Sequence, residues 1–189
     1  MVRATIESNT IAEFLNRDYG YPGWRAADDA SNPDAVIPHQ MREGIGTAYL
    51  HLIPYKEVAR PLWVVCKDMS ETTSVVDGKY PLPDPNHRKE NLEAISVQIA
   101  DAPSGVPKKD EPSLIPAGPP ILGPPGRAAR PTEDVFSNLV FVHYQDNLDN
   151  YRALCLAWAE SRWGGPSPKP SRTENEPPEI HPFSPGWSK

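Results

Sequence analysis

Residues 62–76 read LWVVCKDMSETTSVV, two runs of β-branched and aromatic residues on either side of the polar Asp68-Met69-Ser70-Glu71. That pattern predicts two short strands, Leu62–Lys67 and Thr72–Val76, joined as a hairpin through the polar residues and closed by Asp77-Gly78. Upstream, Thr47, Tyr49, His51 and Ile53 alternate with Ala48, Leu50 and Leu52, so 47–55 reads as a strand mostly buried on both faces. Downstream, PLPDPNH over 81–87 is a rigid connector, and Ile95, Val97 and Ile99 alternate with small or polar residues in a further strand over 94–99. LVFVHY over 139–144 completes five.

Two helices flank these strands. Over 148–163, Leu148, Tyr151, Cys155 and Trp158 form one apolar stripe, Asp146 is placed to cap, and Gly164-Gly165-Pro166 stops the helix. Near the N-terminus, Thr10 and Glu13 have capping-box spacing ahead of a short helix over 10–18, and 21–40 reads as irregular. The expected class is α+β, a small antiparallel or mixed sheet of about five strands with two helices.

Prolines set the boundaries of that domain. Of 24 in the chain, nine fall within 103–131 and seven within 166–185. Each fixes φ, removes a backbone donor and pushes the preceding residue out of the helical region, so neither stretch can be helix or central strand. The expected organisation is one domain over 1–102 and 132–163, an extended arm over 103–131 and a C-terminal arm over 164–189. Within the first arm, the pairs Leu114-Ile115 and Ile121-Leu122 resemble pegs on a stiff strand more than a flexible polar linker.

Composition excludes several functions. The net charge is −6, and bases alternate with acids, as at Lys108-Lys109-Asp110-Glu111, so no basic stripe is available to neutralise a phosphate backbone. The two cysteines, Cys66 and Cys155, exclude a disulfide framework of several bridges, and both read as small buried hydrophobes in the reduced state. MVRATIESNTIAEF has no apolar stretch of signal-peptide kind, and nowhere do eighteen apolar residues run together. The expected location is intracellular and soluble, in the cytoplasm or within or on a particle, with no membrane contact.

No motif names a chemistry. His39, His51, His87, His143 and His181 lack short metal-ligand spacing, so no metal or cofactor is expected. His51 and His143 lie on expected strands and could face each other across a sheet; with Asp146 they supply the alternative of a small hydrolase. Asp28, Asp29 and Asp34 lack the glycine and final glutamate of a calcium loop, and Gly44-Ile45-Gly46 precedes a strand, the wrong context for a phosphate loop.

Pro-Gly-Trp occurs twice, ending in Trp24 and Trp187, and offers either a rigid aromatic anchor for a partner or a cover for the chain's own core. PxxP spacing at Pro116–Pro119 and Pro182–Pro185 allows a second alternative, an adaptor that recruits other domains. The leading expectation is a non-enzymatic structural or interaction protein. It docks through its proline-rich arms onto a larger assembly, a virus capsid or its accessory layer by analogy. Its partners are other protein subunits or copies of itself, with no direct sequence-specific nucleic-acid binding, and its contacts are Trp24, Leu114, Ile115, Ile121, Leu122, Phe183 and Trp187.

Overall fold

The computed structural model describes residues 1–14, 19–31, 44–55, 62–84, 86, 91–101, 130–136, 139–145, 149–182, 184 and 187. Its elements are α1 (Val2–Phe14), α2 (Trp24–Ser31), β1 (Gly44–Tyr55), β2 (Leu62–Ser74), β3 (Leu92–Asp101), β4 (Leu139–Gln145) and α3 (Asp149–Trp163). The strands form one sheet in the order β1-β2-β3-β4, with β1–β2 and β2–β3 antiparallel. The α+β class holds, with four strands among the described residues, because Leu62–Lys67 and Thr72–Val76 do not make a hairpin. Leu62–Lys67 and Thr72–Ser74 belong to one thirteen-residue strand, β2, with 68–71 between them, and Val76 falls in the turn that follows. The polar residues that read as a turn are held in the strand by side-chain partners, as described below.

Contacts divide the chain into two compact units. Unit 1 comprises Met1–Arg42, Ile99–Val142 and His181–Lys189; unit 2 comprises Glu43–Gln98 and His143–Ile180.

In unit 1 the first helix starts earlier than the capping-box pattern implies. Thr10 is inside α1, and its hydroxyl donates to the Ile6 carbonyl at 2.9 Å instead of capping a new helix. The buried face of α1 carries Val2, Ala4, Ile6 and Ala12 but also Thr5 and Ser8, and these small polar residues hide its period. Ser8 is buried with its Oγ accepting the Tyr21 backbone N–H at 2.9 Å. The stretch expected to be irregular contains α2, whose polar WRAADDAS composition resembles a loop although Trp24 and Ala27 are both buried. Asp28 and Asp29 belong to this helix, and Asp34 lies outside the described residues.

In unit 2 the register places three rows of side chains under α3. Tyr49, Asp68 and Leu92 align across β1, β2 and β3; so do His51, Cys66 and Ala94, and Ile53, Val64 and Ser96. Val64, Cys66, Leu92 and Ala94 pack with Cys155 and Ala159 of α3, bordered by Ile53, Tyr55, Tyr151, Trp158 and Trp163. On the opposite face of the sheet, Val65, Ile95 and Val97 are also buried, and the Lys67 ammonium meets Glu93 at 2.8 Å. Asp77 and Gly78 both have positive φ in a two-residue turn bridged by Val76 and Lys79, the geometry for which Asp-Gly is suited. Gly164 ends α3 at φ 65°, and the next N–H, from Gly165, returns to the Glu160 carbonyl at 3.1 Å.

Cys66 and Cys155 are joined by a disulfide with their Cα atoms 5.1 Å apart, and no free cysteine remains. This corrects the expectation of reduced thiols. The two residues are 89 apart in sequence, so their pairing appears only once α3 lies across β2. Disulfides of this kind form and persist chiefly in oxidising environments.

Candidate functional site

The packing of α3 on the sheet builds a polar network at one end of unit 2. Asp68 is 0% exposed. Its Oδ2 accepts from Arg162 Nε at 3.1 Å and Trp163 Nε1 at 3.0 Å, and its Oδ1 accepts the Ser70 backbone N–H at 2.9 Å. Arg162 also donates through Nη2 to Glu71 Oε1 at 3.2 Å, while the Tyr49 hydroxyl donates to Glu71 Oε2 at 2.8 Å. The guanidinium lies 3.4 Å from the centroid of the Tyr49 ring. Burial first, then the hydrogen bond and charge of Glu71, push the Tyr49 hydroxyl above its usual pKa against the pull of Arg162. Every charged group here is answered by another, the pattern of a network that holds α3 in register.

Next to it, His51 stacks on Trp158 with ring centroids 5.4 Å apart, and Tyr55 meets Tyr151 edge-on at 5.2 Å. His51 is therefore part of an aromatic ladder along α3. His143 is on β4, at the opposite edge of the sheet from β1, with two strands between them. The two histidines do not face each other across neighbouring strands, and Asp146 lies outside the described residues. Among the described residues no group of three or more His, Cys, Asp or Glu could hold a metal ion.

The proline-rich tail contains the second constellation, one that composition did not point to. Arg172 donates through Nη1 to the carbonyls of Tyr80 at 2.7 Å, Glu176 at 3.2 Å and Thr173 at 3.4 Å, and through Nη2 to that of Pro81 at 2.9 Å. Tyr80 N–H donates to the Glu174 carbonyl at 2.8 Å, and the Thr47 hydroxyl to that of Glu179 at 3.0 Å. Pro168 and Pro178 are buried, while Pro166, Pro170 and Pro177 are exposed. Residues 164–180 thus lie along their own unit. A guanidinium's fixed fork suits this carbonyl cage, and an ammonium could not fill it. Arg172→Ala is expected to raise amide exchange across 164–180 about tenfold or more and to leave that of β2 and β3 unchanged, as read by hydrogen–deuterium exchange with mass spectrometry.

In unit 1 a third cluster surrounds Tyr21. Its hydroxyl donates to Glu7 Oε2 at 2.6 Å, Arg3 pairs with Glu7 Oε1 at 2.6 Å, Arg130 lies 5.3 Å from the Tyr21 ring centroid, and Trp187 meets the ring edge-on at 5.8 Å. Burial is the largest cause raising the Tyr21 pKa above its ordinary value of 10.0, followed by the charge and hydrogen bond of Glu7. Because the folded pKa is raised, the folded state keeps this proton longer than the unfolded state. The contribution is complete below pH 10 and is lost as pH climbs above it. Tyr21→Phe is expected to cost about 1–3 kcal/mol at neutral pH and to flatten the loss of stability above pH 10, measured by urea unfolding across pH.

The residues singled out as partner contacts fall into two groups. Trp24 is 1% exposed in the core of unit 1, and Trp187 is half-buried with its ring edge-on to Tyr21. Leu114, Ile115, Ile121, Leu122 and Phe183 lie outside the described residues, as does nearly all of 103–131. No helix among the described residues is long and apolar enough to cross a membrane. Comparison with family models, with curated proteins and with solved structures finds no match.

Proposed function

We propose that the protein is a non-enzymatic structural and interaction component that docks onto a larger protein assembly and uses proline-rich segments as contact surfaces. The observation that supports this reading is the Arg172 clamp. A surface run already held in one shape loses little conformational entropy when a partner arrives, which favours binding at modest area. The clamped run presents Pro166, Pro170 and Pro177 outward and ends at Ile180, 50% exposed, while Val76 of the same unit is 52% exposed. Apolar side chains displayed singly on a rigid ledge are suited to pockets on a neighbouring subunit. The net charge of −6 favours protein over nucleic acid as that neighbour.

A virus capsid or its accessory surface layer is the assembly of first choice, and the disulfide accords with the exterior of a virion or cell better than with the cytosol. Co-sedimentation with a megadalton particle tests the role. The native chain is expected to travel with the particle, and Arg172→Ala to weaken its retention about tenfold, equal to about 1.4 kcal/mol. Failure of the native chain to co-sediment with any particle from its source would remove the proposal.

A further inference from the structure

In the order β1-β2-β3-β4, β1 forms one edge of the sheet among the described residues. Its sequence, GIGTAYLHLIPY, has no Asp, Glu, Lys or Arg, although the chain as a whole carries a net charge of −6. Soluble proteins usually guard a long edge strand with charges, prolines or bulges. On β1 the guards stand only at the ends of the apolar run. A bulge lies between Thr47 and Tyr49, and Pro54 lacks an N–H, so residues 49–53 are left as a regular, uncharged stretch centred on His51.

The flank of α3 above this edge is apolar as well. Arg152 donates to the Leu92 carbonyl at 3.1 Å and so marks the side of the helix nearest β3. Tyr151, Leu154 and Trp158 follow one another at i, i+3 and i+7 on the opposite side, where Tyr151 meets Tyr55 and Trp158 stacks on His51. Leu154 is 45% exposed, His51 is exposed, and Tyr55, Tyr151 and Trp158 are half-buried. An apolar helix flank and an uncharged strand edge thus lie side by side on unit 2.

We infer that β1 is the contact between two copies of this chain, paired antiparallel about a two-fold axis at His51 so that their two sheets continue as one. The inference rests on the proposed interaction role and names a second copy as the first partner. An antiparallel edge is complementary to itself, so a single patch suffices and the pair closes as a dimer. In this register Leu50 of one copy lies opposite Leu52 of the other, Tyr49 lies opposite Ile53, and no like charges face each other. A two-fold axis perpendicular to the sheet keeps both α3 helices on one face. Leu154 and Trp158 of each copy then turn toward the seam, and each apolar flank is covered by its own equivalent.

Two measurements on the full chain test this. Sedimentation equilibrium is expected to show a monomer–dimer equilibrium, which Leu154→Glu of unchanged circular dichroism weakens by about tenfold. The wild type has no free cysteine, so His51→Cys supplies a single thiol at the axis, whereas Ala157→Cys places one at an exposed position on α3. A short bismaleimide is expected to join two copies of the first variant about tenfold faster than two copies of the second, because pairing holds the first two thiols together. A wild type that stays monomeric to millimolar concentration overturns the pairing. So does a dimer indifferent to Leu154→Glu, or one in which both cysteine variants cross-link at the same rate. Co-sedimentation without dimers would leave the assembly role standing and remove the β1 pairing alone; dimers without any larger particle would do the reverse.

Discussion

Replacing Cys66 and Cys155 together with alanine is expected to lower the stability of unit 2 by about 4–5 kcal/mol, the loop-closure value for a bridge spanning 89 residues. The bond ties the middle of β2 to the middle of α3, two elements otherwise joined through long intervening chain, and both cysteines are fully buried. Without it the unfolded chain regains the freedom that the cross-link removes, while the core also loses two sulfur contacts. A change of this size is comparable to the whole stability of a marginal domain. Urea unfolding of the oxidised protein and the double variant measures it directly. Native protein is also expected to resist alkylation until reductant and denaturant are both present; equal stability of the two forms, or free thiols in the native chain, would contradict the assignment.

Asp68→Ala is expected to cost about 3–5 kcal/mol, the usual penalty for removing one partner of a buried ion pair. The carboxylate is the shared acceptor of Arg162 Nε, Trp163 Nε1 and the Ser70 backbone N–H, so its loss strips an acceptor from three donors at once, with Trp163 Nε1 keeping only Ser70 Oγ at 3.2 Å. The double variant Asp68→Ala/Arg162→Met is expected to be less destabilised than the sum of the single variants, because the stranded cation is removed with its partner. Thermal unfolding of the four proteins closes the cycle, and strict additivity would show that the pair is not coupled.

These two sites also mark where sequence patterns stop being informative. β1, β3, β4 and α3 were legible because Tyr49, His51 and Ile53, then Ile95 and Val97, then Tyr151, Cys155 and Trp158 keep their period in the chain itself. β2 was broken in two because Asp68 and Ser70 are polar, and what keeps them in a strand is Arg162 and Trp163, more than ninety residues away. α1 begins earlier than its capping pattern implies and α2 is missed within a stretch that reads as irregular, for the related reason that Thr5, Ser8 and an Asp-Ala-Ser composition disguise helical faces. The disulfide and the Arg172 cage depend on non-local contacts in the same way. In 164–180, where prolines are dense, there is neither helix beyond α3 nor strand. Their density did not reveal that this run is fastened to its own unit.

The proposed role of an assembly component that docks through held proline-rich segments is tested most directly by the protein's native mass in the material that contains it. Native mass spectrometry or sedimentation of gently isolated protein is predicted to place the chain in a complex many times its own 20.9 kDa, with Arg172→Ala shifting the balance toward free chain. A species that remains at 20.9 kDa in every preparation, wild type and variant alike, would contradict it.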